Sequence, residues 1–308
     1  MPAWMRAQQG LDFDGLTVSC LPPFYLRTLP AEATGRHWLI TMTEGSALPL
    51  GWAETINRSG VERVIVPCQH NADVFYAGGV LAPIDVVPGG TDPDEFRPGR
   101  ICADPHPYTF LAIADRGARK GWVETWQAFY QAFGSPEQTP NVRLIIKSRP
   151  DGNDMLTLIA KAESPDPRLS IIMQDMDMAE FYRMGDCFVG VSRSEGWGMI
   201  PREAASCGLP VITQCYSGME DGYTNQWAIV VEGGRLENIP SHFEHIAGQW
   251  LKADVSAVAD AMRNCYEHPD VFRRRGRLAS EWLAQHQTWD HTALRLLDLI
   301  GQYDGAYR

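Results

Sequence analysis

The stretch "VSRSEGWGMIPREAASCGLPVIT", residues 191–213, governs the reading of the whole chain. Before it, "CFVGVS" (187–192) is an apolar run with few polar interruptions, the pattern of a strand covered on both faces. In open parallel sheets, ligands sit beyond the carboxyl ends of such strands, and the loop "RSEGWGMI" leaves from that end. Pro201 suits the first position of a following helix, where its missing N–H costs nothing. "REAASCG" is a small-residue helix able to lie close on a sheet, and Gly208 and Pro210 form its stop. Glu195 is therefore expected on the loop and Glu203, eight positions on, in the first helical turn. Loop glycines let backbone amides approach a ligand, and a helix N-terminus favours phosphate. Ionised carboxylates beside such a site accept hydrogen bonds from sugar hydroxyls. Diphosphate at the helix end with hydroxyls at the glutamates describes a nucleotide sugar. A Glu pair alone also has a plain reading, since acidic residues in a first turn complement the helix dipole.

Working outward, strand and helix patterns alternate. Apolar or β-branched runs occur at 16–20, 37–42, 63–67, 84–88, 108–114, 142–147, 169–173, 187–192, 210–213 and 228–232. Amphipathic segments such as "GWVETWQAFYQAF" (121–133) and "MAEFYRMG" (178–185) lie between several of them. This alternation predicts an α/β fold of doubly wound parallel sheets. The Gly-, Pro- and Asp-rich stretch 88–107 is the linker candidate, dividing the chain into about 100 and 200 residues. The last 55 residues read as helices.

Composition narrows the function classes. The chain has 308 residues, 44% hydrophobic and 21% charged, an ordinary globular mix for two domains. A net charge of −11 argues against non-specific binding to nucleic acid or anionic membranes. No run reaches the roughly 18 to 20 apolar residues of a membrane span, and the N-terminus shows no signal-peptide core. Seven scattered cysteines without a C-x-x-C pair predict neither structural zinc nor a disulfide framework, and a cytoplasmic location is expected.

"SRSEGWGMIPREAASCGLPVIT" resembles the donor-site signature of retaining glycosyltransferases with the GT-B fold, the large family-four group. "IDVVPGGTDPDEFRP" (84–98) is similar to that family's inter-domain segment, and "TFLAIADRGARKGWVETWQAFYQAF" (109–133) to the strand, basic loop and helix that open its C-terminal domain. "YSGMEDGY" (216–223) resembles its "SG..D" loop, and "TWDHTALRLLDLI" (288–300) its closing helix. The resemblance implies two Rossmann-like parallel-sheet domains of GT-B type. Residues 1–100 would form a compacted acceptor-side domain and 101–285 the nucleotide-sugar domain, with 286–308 a helix crossing back. It implies a retaining hexosyltransferase moving sugar from a nucleotide-diphosphate donor to a hydroxyl acceptor, with no cofactor beyond that donor substrate.

Residue by residue, the resemblance gives Glu203 the ribose and Glu195 the hydroxyls of the transferred sugar. Gly196, Trp197, Gly198 and Met199 line the diphosphate and sugar. Lys120, in "ARKG", neutralises the departing diphosphate, and Lys147 and Arg149 stand at the nucleotide wall. The chain also departs from the pattern. Where the family places a basic residue five or six positions before the lysine, it has Asp115 and Ala114, so Arg116 is the nearest source of the second charge. Where the family often has an acceptor-side histidine, "ITMTEG" (40–45) supplies Thr43 and Glu44. The family's glycine-rich first loop is absent, and the first domain is short. His70 reads as structural.

A metal-independent reaction is expected. The Asp-x-Asp strings "DPD" (92–94) and "DMD" (175–177) lie in the linker and before a helix, not at strand ends. Two other readings stand beside the transferase. One is a hydrolase using Glu195 and Glu203 as an acid/base pair; the other is a non-catalytic partner subunit that binds sugar nucleotides. The arginines of "FRRRGR" (272–277) read as a solvated helix face or as a patch for an acidic surface. The nucleotide base, the acceptor and the oligomeric state are not legible.

Overall fold

The computed structural model describes residues 16–28, 36–99, 107–114, 118–149, 166–221 and 224–305. Its strands fall into two parallel sheets. The first uses β1 (Leu16–Cys20), β2 (Arg36–Ile40), β3 (Arg63–Val66) and β4 (Ile84–Val86) in sequential order. Helix α1 (Trp52–Arg58) connects β2 to β3, and α2 (Gln69–Ala77) connects β3 to β4. The four strands pair in parallel throughout.

The second sheet has six strands, all parallel: β5 (Tyr108–Ile113), β6 (Val142–Lys147), β7 (Leu169–Ile172), β8 (Cys187–Gly190), β9 (Val211–Thr213) and β10 (Ile229–Val230). Their spatial order is β10-β9-β8-β5-β6-β7. The chain runs from β5 to β7 in one direction, returns, and runs from β8 to β10 in the other. Strands β5 and β8 are neighbours, with Phe110 opposite Cys187. The crevice at their carboxyl ends is the topological switch point, where open α/β sheets bind ligands.

Helices cover both faces of this sheet. On one face α3 (Trp122–Phe133) and α7 (Val255–Glu267) enclose Phe110, Phe129, Phe133, Val189 and Met262. On the other, α4 (Met178–Tyr182), α5 (Met199–Ser206) and α8 (Pro269–His286) enclose Leu111, Phe181, Phe188, Ala204 and Leu283. Burying each such large side chain stabilises by about 1.5–3 kcal/mol. The C-terminal end of α3 is satisfied by Arg168, nearly inaccessible to solvent, which donates to the carbonyls of Phe133, Gly134, Ser135 and Thr139.

An antiparallel pair, β11 (Arg235–Asn238) and β12 (Gln249–Lys252), was not expected from the sequence. The loop it carries docks on the first unit. Ala47 bridges Ala247, the Ser46 hydroxyl accepts the Gln249 N–H at 2.8 Å, and Phe24 stacks on His245 with ring centres 4.9 Å apart. At the opposite end of the chain, α9 (Trp289–Gly305) lays Leu296, Leu299 and Ile300 against Trp38, Ile65 and Val87 of the first sheet. Thr91 and Thr288 form a parallel bridge where the chain passes between the units.

Two sequence expectations resolve into backbone roles. Asp92 accepts the N–H groups of Asp94 and Glu95 in a turn, and Asp177 caps α4 by accepting the Glu180 N–H. In the arginine-rich stretch, Arg273 pairs with Asp270 and Arg275 donates to the Ala228 carbonyl. No helix among the described residues is long and apolar enough to cross a membrane.

Candidate active site

The loops leaving β5 and β8 are stitched together at the switch point. Gly121, which precedes α3, has φ of 65°, and a Cβ there would lie 2.0 Å from the Val191 carbonyl oxygen. Only glycine tolerates both that backbone conformation and that approach. The Arg193 N–H donates to the Arg119 carbonyl at 2.7 Å. Arg119 and Lys120 are thereby laid alongside Ser194 and Glu195.

Glu195 is buried between these two cations. Lys120 Nζ stands 2.6 Å from Oε1, and Arg119 stands 3.2 Å from Oε2 and also donates to the Ser194 carbonyl. The same guanidinium lies 3.1 Å from Glu44 on the first unit, so the charges run Lys120, Glu195, Arg119, Glu44 across the cleft. The Glu195 backbone is clamped separately. Its N–H donates to Ser217 Oγ, and the Ser217 hydroxyl and the Gly218 N–H both donate to its carbonyl. Ser217 adopts φ of 55°, rare for a residue with a side chain, and such strain clusters at functional sites.

Burial alone would raise the Glu195 pKa, but the Lys120 and Arg119 charges outweigh it and hold the carboxyl at about 2. A folded-state pKa below the unfolded one stabilises at pH above the unfolded value and loses that stabilisation as pH falls through the folded one. The contribution is on the order of 3 kcal/mol, present above about pH 4.5 and fading toward pH 2. Urea unfolding of wild type and Glu195→Gln at pH 6, 4 and 3 is expected to show their stability difference narrowing with acid. A difference that stays constant from pH 6 to 3 would show that the carboxylate is not held by these cations.

The residues after Glu195 have their carbonyls tied back. Asn71 Nδ2 donates to the Gly196 carbonyl at 2.9 Å, and Arg202 donates to the carbonyls of Trp197 and Gly198. Among the described residues no protein group accepts from the amides of Gly196, Trp197 or Gly198. Gly198 has φ of 77° and no room for a Cβ, which would sit 2.2 Å from Met219 Sδ. Arg202 is fully buried, lies 3.7 Å from the Trp197 ring centre, and pairs with Asp221 and Gln287.

Helix α5 begins at Met199 with Gly198 as its cap. Pro201 is therefore its third residue rather than its first, and Glu203 begins the second turn. The correction is small, because Pro201 still falls where no intrahelical N–H bond is required. Glu203 Oε2 accepts the Tyr182 hydroxyl at 2.9 Å. Burial raises the Glu203 pKa, with the Tyr182 hydrogen bond and the Lys120 charge opposing. Lys120 thus acts on both carboxylates.

The remaining sequence candidates are spread more widely. Met199 is exposed at the start of α5. Lys147 ends β6 opposite Ile113 of β5, and Arg149 lies two residues on, exposed. Arg116 lies outside the described residues. Thr43 is buried, its N–H donating to Asn71 Oδ1 at 2.6 Å, so it supports the loop that carries Glu44. His70 contacts the Gly45 carbonyl and Glu220, a bracing position between the units. Arg119, Ser217, Arg202 and Tyr182 are the site residues that sequence reasoning did not single out. Their signals were an arginine beside the lysine of "ARKG" and another inside the small-residue helix.

Two parallel-sheet units facing across a cleft, with a basic loop and a Glu-bearing loop meeting at one switch point, define the GT-B class. Residues 104–237 match the profile of the family described as Glycosyl transferases group 1. The matched residues include Lys120, Glu195 and Glu203. The chain is 28% identical over 242 residues to the D-inositol 3-phosphate glycosyltransferase of Mycobacterium bovis (strain BCG / Pasteur 1173P2). That match covers 74% of this chain and 46% of the relative, so the chain spans about half the length of the curated relatives it matches. Among solved structures, sucrose-phosphate synthase from Thermosynechococcus elongatus aligns with a TM-score of 0.73 at 18% identity, covering 99% of this chain and 77% of that one. Anabaena HepE in complex with UDP and glucose aligns at 0.70 and 14% identity, covering 97% and 80%. At these identities the structural likeness concerns the fold.

Proposed function

We propose that the chain transfers a sugar from a nucleotide-diphosphate donor to a hydroxyl acceptor, with retention at the anomeric carbon and without a metal ion. The observation that carries this reading is the Lys120–Glu195 pair at 2.6 Å beside a loop whose amides meet no acceptor among the described residues. An ammonium group has three donors, so Lys120 can hold Glu195 and a donor phosphate together. Transfer develops negative charge on the departing phosphate. Lys120, Arg119 and the amides of Gly196, Trp197 and Gly198 are the fixed dipoles and charges suited to stabilise it.

Glu195, held ionised, accepts hydroxyls of the transferred sugar, and Glu203 accepts those of the ribose. Arg119 supplies the second positive charge that the sequence reading sought at Arg116. The family match and the HepE structure with UDP and glucose support a nucleotide-sugar donor. The contacts from Asn71 and Arg119 across the cleft imply that donor and acceptor enter while the units are apart and react when they close.

Calorimetric titration with UDP-, GDP- and ADP-linked sugars tests the donor site. One series is expected to bind, and Glu203→Ala to weaken it by about 1–3 kcal/mol, the usual worth of a hydrogen bond to a charged group. No binding at millimolar concentration would refute the donor site. Binding without transfer to any acceptor would favour the partner-subunit reading.

A further inference from the structure

The first unit meets the donor loop with a carboxylate, and we propose that Glu44 selects an uncharged polyhydroxyl acceptor and rejects acceptors bearing phosphate. The inference rests on the transferase reading above. Parallel strands present their carboxyl ends to the cleft, so the residues that follow β2 and β3 stand on the acceptor-side wall. Those are Thr43 and Glu44 after β2, and His70 and Asn71 after β3. Thr43 and Asn71 are buried and bonded to each other, and His70 is turned to the Gly45 carbonyl and to Glu220. Glu44 is the carboxylate of this wall that reaches the reaction centre, and its side chain is 33% exposed.

Among the described side chains, the cations of the first unit lie elsewhere. Residues 1–100 contain no lysine. Arg36 and Arg63 open β2 and β3, at the amino ends away from the cleft, where they pair with Glu62 and Asp85. Arg58 closes α1 in a pair with Glu54. Arg97 lies beside Cys207, past the far end of α5. Among the described residues, Arg119 is the cation that contacts this wall, and it is shared between Glu195 and Glu44.

A phosphate entering here meets Glu44 at close range in a partly desolvated cleft, where like charges repel strongly. A hydroxyl instead donates to the same carboxylate. The second carboxylate at the rim, Glu220, adds charge of the same sign.

The test uses the full chain saturated with whichever of UDP, GDP or ADP binds, so that the donor phosphate site is filled. The complex is titrated with inorganic phosphate and with glucose 6-phosphate. Wild type is expected to take neither up to tens of millimolar, and Glu44→Gln to gain at least tenfold in affinity for both. Glu44→Ala, checked for folding by circular dichroism, should show the same gain. Millimolar binding of either anion by wild type, or no gain in either variant, would overturn the inference while the donor reading stands. Failure of every nucleoside diphosphate to bind would remove the donor reading, and this inference with it.

Discussion

Replacing Arg202 with alanine is expected to destabilise the folded chain by about 3–5 kcal/mol, the cost of breaking a buried ion pair by removing one partner. Arg202 is fully buried, and burial lowers its pKa against the opposing pull of Asp221. Its guanidinium joins four parts of the molecule. It donates to the Trp197 and Gly198 carbonyls of the donor loop, pairs with Asp221, bonds Gln287 at the end of α8, and faces the rings of Trp197 and Trp227. Truncation leaves the Asp221 carboxylate and two carbonyls buried with their main donor gone.

Arg202→Lys should recover little, because one ammonium cannot match a planar fork with five donors. The double variant Arg202→Met, Asp221→Asn should recover a substantial part, since both charges then leave together. Urea or guanidinium unfolding measures all three. A loss under about 1 kcal/mol for Arg202→Ala would mean that the cluster contributes no net stability.

These residues also mark where sequence reading stops. The strands were legible because apolar runs such as "VRLIIK" and "YTFLAIA" carry their own signal, and β6 spans Val142–Lys147 as the pattern predicts. Their spatial order came only with pairing, which a sequence does not print. The β11–β12 pair was missed because "RLEN" and "QWLK" contain no β-branched residue, although Gly233–Gly234, Pro240 and Gly248 punctuate them. What holds it is tertiary: Trp250 lies under Arg193, itself paired with buried Glu124, and Gln214 donates to the carbonyls of Ser192 and Leu251.

The candidate site divides the same way. Glu195, Glu203 and Lys120 were found because motif spacing exposes them. Arg119 was passed over because an arginine beside a lysine reads as solvated charge. The close approach of Gly121 to Val191 and the Arg193 N–H bond to the Arg119 carbonyl bring it beside Glu195. Ser217 falls in the "SG..D" string, but nothing in that string announces its left-handed backbone or its two hydrogen bonds to Glu195. Arg116, four residues before Lys120, lies outside the described residues, while Arg119, beside Lys120, contacts Glu195.

Lys120→Met carries the largest expected effect on the proposed reaction, a fall in turnover of about 10²–10³, or roughly 2.7–4 kcal/mol of transition-state stabilisation. Two consequences of the structure act in the same direction. The departing phosphate loses the Lys120 ammonium. Glu195 keeps only Arg119, so burial weighs more heavily and its carboxyl pKa must rise from about 2. A carboxyl that takes up a proton more readily becomes a poorer acceptor for sugar hydroxyls, so the variant should also lose activity more steeply toward acid than wild type. Because both losses pass through one ion pair, Lys120→Met and Glu195→Gln should be strongly non-additive, the double variant turning over nearly as fast as the worse single one. Donor binding should weaken less than turnover, since the Glu203 and loop contacts remain. Single-turnover transfer measured across pH for the four proteins checks each point. Additive losses, or turnover within threefold of wild type for Lys120→Met, would show that the pair holds the fold and takes no part in the chemistry.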